Sequence, residues 1–330
     1  MSSIREVARL AGVSPATVSR VMNGTANVNE EKRERVLRAI SETGFVPNEV
    51  ARSLFRKSAK IIGLVLPDID NPFFTQLADA IEKEADANGY RVILYNTRND
   101  FEKEKMALQM LISMNADGII FTRSNEELQP FVEAAPIPVV VTDTVFSGGH
   151  ASAYVHCDFY QGGRMAAEYL LECGCQKIVC MKGPQTLSSA RARYQGYKEV
   201  CAAHQLEERT VETDYSFNMG LTATEELLEK YPDVDGIVAC NDIVAISAYK
   251  VLHRNHISVP EQVQLIGFDD IFLSSLLTPE LTTITQPIRA IGAKAAELII
   301  HSDAREMNME KYIFPVSLVE RETTRRNIQE

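Results

Sequence analysis

Through residues 61–330 of this 330-residue chain, polar and aromatic side chains gather just past the ends of expected strands. Asp68, Asp70, Asn71, Phe73 and Phe74 follow the first, and Asp143 follows a later one. Ser188, Ser189, Arg191 and Arg193 come next, then Tyr215 and Phe217, Asn241 and Asp242, Phe268, Asp269 and Asp270, and Gln286. Carboxylates, amides and arginines can pair with ring hydroxyls while flat aromatic faces cover the C–H side of a ring. That is the chemistry of holding a sugar. A phosphate would call for more cations and a glycine-rich loop. Asp68/Asp70 and Asp269/Asp270 leave a glycosidase pair as an alternative, but no Gly-x-Ser-x-Gly elbow or Walker loop accompanies them. His253 and His256 have no third ligand in the pattern, so neither a metal nor another cofactor is expected. Singly, each residue has a plain reading: Asn71 as the cap of a helix starting at Pro72, Phe73 and Phe74 as core, Asp269 as a loop acceptor. Jointly, at one end of two sheets, they read as a binding site.

A second group lies in the first sixty residues. There 11 Lys/Arg face 6 Asp/Glu, a net +5, against 23 and 39 in residues 61–330, a net −16. A basic arm on an acidic body confines polyanion binding to the N-terminus. Ile4, Val7, Ala8 and Ala11 mark one helix face. Gly12 turns the chain, and Ser14-Pro15 starts a second helix to Met22 with Val18, Val21 and Met22 inward. Asn23-Gly24 stops it. A third helix spans about Glu30 to Glu42, with Val36, Leu37 and Ile40 inward. This is helix-turn-helix grammar. The second helix then presents Pro15, Ala16 and Arg20 to base edges, with Ser14, Thr17, Ser19 and Asn23 at phosphates. A three-helix protein-binding module is the alternative.

The elements that position the first group alternate strand and helix. Strands are expected at Ile61–Leu66, Tyr90–Tyr95, Gly118–Phe121, Val139–Thr142, Lys177–Met181, Val211–Thr213, Gly236–Ala239, Val263–Gly267 and Leu281–Thr285, with another from Tyr312. Helices are expected at Pro72–Asn88, Phe101–Met114, Glu126–Ala134, Gly162–Cys173, Arg191–His204, Leu221–Lys230, Ile243–Asn255 and Ile288–His301. Repeated βα units imply two parallel sheets wrapped by helices, and ligands in such sheets sit beyond the carboxyl ends of the strands. No window holds about 18 consecutive apolar residues, and Met1 to Glu6 lacks a signal-peptide core, so a cytoplasmic protein without a membrane partner is expected. Six cysteines without Cys-x-x-Cys spacing are expected as free buried thiols.

Between arm and body, Val50, Ala51 and Leu54 make an apolar set on a helical turn too short to be stable alone. It either packs on the body or pairs with a partner.

The stretch Ser3-Ile4-Arg5-Glu6-Val7-Ala8-Arg9-Leu10-Ala11-Gly12-Val13-Ser14-Pro15-Ala16-Thr17-Val18-Ser19-Arg20-Val21-Met22-Asn23-Gly24 resembles the headpiece signature of the lactose/galactose repressor family. Gly44-Phe45-Val46-Pro47-Asn48 and Ala51-Arg52-Ser53-Leu54 follow the same pattern, and the resemblance runs over essentially the whole chain. It implies an all-α helix-turn-helix headpiece plus an α/β periplasmic-binding-protein-like core of two doubly wound parallel-sheet subdomains. The implied division is a headpiece at 1–46, a hinge at 47–60 and a core at 61–330. The core's N-subdomain takes about 61–158 and 288–316, and its C-subdomain about 159–286 and 317–330. Paired hinges of a homodimer would place Leu54 in the minor groove of a palindromic operator, with Arg52 and Ser53 beside it.

The core is similar to the ribose-binding kind of periplasmic protein. Asp70-Asn71-Pro72-Phe73-Phe74 resembles its Asn-Pro-Phe-Phe segment, which binds hydroxyls and sandwiches the pentose. Ala190-Arg191-Ala192-Arg193 resembles its Ala-Arg-x-Arg, so Arg193 would contact the sugar. Tyr215 stands where a Phe is usual. Asp143, Asn241, Asp269 and Gln286 fall on the remaining contact positions. Thr144 departs from the pattern, since ribose binders carry an arginine beside the aspartate. The implied function is a sugar-responsive repressor, with ribose as effector. The opposite polarity, a phosphorylated sugar and a phosphocarrier co-regulator stay open, as does a secreted sugar-binding protein.

Overall fold

Four residues punctuate the first three helices. In the computed structural model, which describes residues 3–22, 28–45, 58–123, 125–144, 153–301 and 310–326, α1 is Ile4–Ala11, α2 Pro15–Met22 and α3 Glu30–Thr43. Ser3 Oγ accepts from the Glu6 amide at 3.3 Å, and Asn29 Oδ1 from the Glu31 amide at 2.9 Å. Gly12 and Gly44 end α1 and α3 at φ of +62° and +59°, where a Cβ would be strained. Val7, Ala8, Ala11, Val18, Val36 and Ala39 form the headpiece core. Leu37, expected inward, is half exposed, and Ala39 takes its place. The buried stripe of α3 is Val36 and Ala39 with Ile40 partly buried beside them, and Leu37 lies about 100° away from Val36.

The chain divides into compact units at 1–59 and 60–330. In the second unit, β1 is Ile61–Leu66, α4 Pro72–Ala87, β2 Arg91–Asn96, α5 Phe101–Ser113, β3 Gly118–Phe121, α6 Gln129–Glu133, β4 Val139–Val141 and β5 Ala153–Cys157. Then come α7 Phe159–Glu172, β6 Ile178–Lys182, α8 Ser188–Ala203, β7 Arg209–Glu212, α9 Phe217–Lys230, β8 Gly236–Ala239, α10 Asp242–Arg254, β9 Gln264–Asp269, β10 Thr282–Thr285, α11 Ile288–Ile300, β11 Glu310–Phe314 and β12 Ser317–Val319. One six-stranded sheet has the order β11-β5-β4-β3-β1-β2, the other β12-β10-β9-β8-β6-β7. Pairings are parallel except β10 with β12, which is antiparallel. The chain passes from sheet to sheet after β5, after β10 and between β11 and β12.

Two differences from the expected elements bear on the site. β5, residues 153–157, is a strand where none is expected; it is short and mostly buried. Helices α7, α8 and α9 start about a turn earlier than their apolar periodicity suggests; caps fix the beginnings of α7 and α9, where Asp158 accepts from the Gln161 amide at 2.9 Å and Ser216 from the Met219 amide at 3.3 Å, while α8 begins after Leu187 without a side-chain cap. Ser188 and Ser189 are therefore in the first turn of α8.

Close helix packing rests on glycines. A Cβ on Gly163 of α7 would lie 1.9 Å from the Arg193 carbonyl of α8, and one on Gly196 2.3 Å from the Tyr160 carbonyl. Only bare backbone lets these helices meet. The six cysteines are free and buried. Among the described residues no helix is long and apolar enough to cross a membrane.

Candidate functional site

The expected effector residues all stand at the carboxyl ends of strands, but they separate into two layers. A cleft of about 310 Å³ is lined by Asp68, Asn71, Phe74, Asn99, Arg123, Asn125, Pro184, Thr186, Leu187, Asp214, Tyr215 and Ser216. Of the nine expected residues, Asn71, Phe74 and Tyr215 line it. Phe73, Asp143, Arg193, Asn241, Asp269 and Gln286 form a buried layer around it.

Asn71 caps α4, its Oδ1 accepting from the Phe73 amide at 3.0 Å. This turns Phe73 and Phe74 inward, ring centroids 5.1 Å apart and edge to face. Asn241 caps α10, accepting from the Val244 amide at 2.8 Å, and its Nδ2 donates to the Tyr215 carbonyl at 3.3 Å. That bond ties Tyr215, between β7 and α9, to the end of β8.

Arg193 on α8 is buried among aromatic rings. Its guanidinium is 3.7 Å from the Phe268 centroid and 5.1 Å from that of Phe159. Nη1 donates to the Cys240 carbonyl at 2.6 Å, and Nη2 lies 3.6 Å from Asp269 Oδ1. Gln286 Nε2 donates to the same carboxylate oxygen at 2.7 Å, while its Oε1 accepts from the Cys157 thiol at 3.1 Å. Burial raises the Asp269 carboxyl to about 7; Arg193 opposes the shift, and Asp242 and Asp143 add to it. Arg193 Nε, the Tyr215 hydroxyl and Ser189 Oγ are buried without a hydrogen-bond partner. Of these only Tyr215 lines the cleft, where an unsatisfied hydroxyl is what a polyhydroxyl ligand would complete.

Other expected polar residues serve the frame. Asp242 accepts from the Ile271 amide at 2.9 Å and from the Ser274 and Thr283 hydroxyls, both at 2.6 Å. Asp270 pairs with Arg321 at 2.6 Å, so Asp269 and Asp270 do not act as a pair. Arg191 pairs with Glu126 at 2.6 Å, joining α8 to the loop before α6 on the other sheet.

Arg123 was missed. It stands two residues past β3, where Thr122, Arg123 and Asn125 continue the pattern seen after the other strands. Its Nε donates to Asp143 Oδ2 at 2.7 Å. The arginine absent at Thr144 thus reaches Asp143 from the neighbouring parallel strand. Glu104 of α5 braces this loop, accepting from the Asn125 amide and Nδ2, each at 3.0 Å. Burial lifts its carboxyl to about 7 despite those bonds.

On the headpiece, Pro15, Ala16 and Arg20 are exposed on α2, and Thr17 and Ser19 are half-buried. Ser14 caps the helix, accepting from the Thr17 amide at 3.1 Å. Asn23, Arg52, Ser53 and Leu54 lie outside the described residues.

Comparison with known proteins joins the two halves. Residues 3–48 match the family of bacterial regulatory proteins, lacI family, and residues 62–301 match the periplasmic binding protein domain. The ribose operon repressor of Halalkalibacterium halodurans is 40% identical over 326 residues, 98% of each chain. The lac repressor dimer, solved bound to operator and the anti-inducer ONPF, matches at a TM-score of 0.88 and 28% identity, with 98% of each chain covered. A regulator from Alkaliphilus metalliredigens, solved in complex with D-xylulofuranose, is 38% identical at a TM-score of 0.72; the match covers 81% of this chain and 99% of that one. The chain belongs to the LacI family of bacterial regulatory proteins and is a DNA-binding repressor with a sugar-responsive core.

Proposed function

We propose that this chain binds a palindromic operator as a homodimer and releases it when D-ribose enters the cleft between its two sheets. The observation that carries the ligand class is the charge balance of the cleft. The two buried arginines, Arg123 and Arg193, are outnumbered by Asp143, Asp269 and the rim carboxylates Asp68 and Asp214, so even with Asp269 protonated no positive charge is left over for a phosphate dianion. Phe74 and Tyr215 offer apolar faces, and the unpartnered Tyr215 hydroxyl, Arg193 Nε and Ser189 Oγ call for a neutral ligand rich in hydroxyls. Asn71, Phe73, Asn241 and Gln286 complete the set, with Asp143 and Asp269 as acceptors. The ribose operon repressor relative favours ribose. The D-xylulofuranose complex supports a ketopentose as the second reading.

The headpiece, residues 1–46, reads DNA through Pro15, Ala16 and Arg20 in the major groove, with Ser14, Thr17, Ser19 and Asn23 at phosphates. The hinge, residues 47–60, pairs across the dimer. Leu54 wedges into the minor groove at the operator centre, flanked by Arg52 and Ser53. Two-fold operators match two-fold protein symmetry. Sugar draws together the N-subdomain (about 61–158 and 288–316) and the C-subdomain (about 159–286 and 317–330), and the hinges separate. Coupling of this kind is typically about 1–3 kcal/mol.

A thermal-shift panel of free and phosphorylated pentoses and hexoses tests the reading, followed by titration of the winner against a labelled palindromic operator. Ribose should stabilise the protein and release DNA. Victory for D-xylulose selects the second reading. A phosphorylated winner refutes the charge-balance argument. No binding at all removes the cleft as effector site.

A further inference from the structure

The sugar site proposed above already contains a flat polar group. The Arg123 guanidinium lies 4.9 Å from the centroid of the Phe74 ring and 4.4 Å from that of Tyr215. Both distances are within cation–π reach. Phe74 follows β1 of one sheet and Tyr215 follows β7 of the other, so one side chain links the two sides of the cleft. It is 9% exposed, and its Nε bonds to Asp143, the carboxylate assigned above to a sugar hydroxyl. A planar group bearing N–H donors is thus set against the two aromatic faces and bonded to the carboxylate that the reading above gives to a sugar ring.

We propose that Arg123 is the site's internal occupant: it fills the ring slot at Phe74 and Tyr215 while no effector is bound, and it is turned out when sugar enters. This rests on the reading of the cleft as a sugar site.

The surroundings give the side chain somewhere to go. Arg123 also lines the 310 Å³ cleft, whose rim carries Asp68 and Asp214. Asp214 is exposed and Asp68 half-buried, so either carboxylate can receive the displaced guanidinium in water. Its departure frees Asp143 as an acceptor whose charge is felt by both Tyr215 and Arg193, the residues of the unpartnered hydroxyl and Nε. Retaining the arginine after β3 instead of beside Asp143 then has a consequence. The guanidinium competes with the effector, and apparent sugar affinity falls by the fraction of molecules in which it has moved aside. Arg123 thereby sets the sugar concentration at which the repressor responds.

Calorimetric titration of the full-length protein with D-ribose, and with D-xylulose as second probe, tests this on wild type, Arg123→Ala and Arg123→Lys. Arg123→Ala should bind the winning sugar about tenfold more tightly, a difference of about 1.4 kcal/mol, and release operator at about tenfold lower sugar. Arg123→Lys keeps a cation for Asp143 but not the planar face, and should move the same way by less. Weaker binding in both variants makes Arg123 a direct sugar contact and overturns the proposal, as does unchanged affinity. A crystal structure of the wild-type sugar complex decides the matter independently of variant stability. The guanidinium should lie away from the two rings, and finding it still against both overturns displacement. If neither sugar binds wild type or variants, the sugar-site reading fails and this inference fails with it.

Discussion

Asp269 should make sugar affinity depend on pH. The carboxylate is 5% exposed and raised by burial to about 7 from an ordinary value of 3.8. A raised carboxyl favours the neutral form, so the unliganded core gives up stability as pH climbs from about 4 to about 7. The ionised form of Asp269 accepts a sugar hydroxyl more strongly than the neutral one, so binding favours release of the proton. With a pKa of about 7, roughly nine-tenths of free sites carry the proton at pH 6, about half at pH 7 and about a tenth at pH 8. Affinity should therefore be about tenfold weaker at pH 6 than on the alkaline plateau, and about twofold weaker at pH 7. Calorimetry at pH 7 in two buffers of different ionisation enthalpy should count about half a proton released per sugar. Facing Asp269 are Arg193, Gln286, Asp143, Asp242 and the Cys157 thiol. Of the acids, Asp242 titrates at about 6, but its oxygens are engaged by Ser274, Thr283 and the Ile271 amide, not by the cleft. Glu104 also titrates at about 7, beneath Asn125, so Glu104→Gln is the control that should keep the pH profile. Asp269→Asn should flatten it. A proton count of zero with pH-independent affinity would refute the reasoning, because the ligand would then not discriminate between the two forms of Asp269.

Three further outcomes can be checked directly. Gly163→Ala drives a methyl to 1.9 Å from the Arg193 carbonyl; forcing α7 from α8 should cost roughly 1–3 kcal/mol, seen as a lower melting temperature, and should weaken sugar binding because Arg193 moves with its helix. Arg20→Ala should lose about 1–3 kcal/mol at one operator base pair and relax specificity there, read by competition with operator variants. Leu54→Ala should abolish specific operator binding while calorimetry gives the same sugar affinity; a gel shift with retained operator affinity would remove the hinge assignment.

Much of the fold was legible because its signals are local. Caps and turns are written within four residues, as in Ser3 with Glu6 or Asn71 with Phe73, and buried parallel strands read as apolar runs such as Ile61–Leu66. Short elements were harder. β5 has five residues and no helical or alternating period, so nothing local set it apart from a loop. Leu37 was misread because apolar character alone does not fix which of several helix faces turns inward.

By itself, the sequence determined the headpiece grammar, the pair of α/β subdomains, the opposite charges of arm and body, and the residue types at the carboxyl ends of the strands. These follow from periodicity, capping and composition, which act over short stretches of chain. Tertiary structure alone decided the pairings. Arg123 meets Asp143 only because β3 and β4 lie side by side in parallel. Arg193 meets Asp269 because α8 packs bare backbone against α7. Cys157, Gln286 and Asp269 form one chain of contacts because β5 and β10, in different sheets, end at the same cleft. Hydrogen bonds and ion pairs act over about 3–4 Å in space, and that distance is set by how sheets and helices stack, not by separation along the chain.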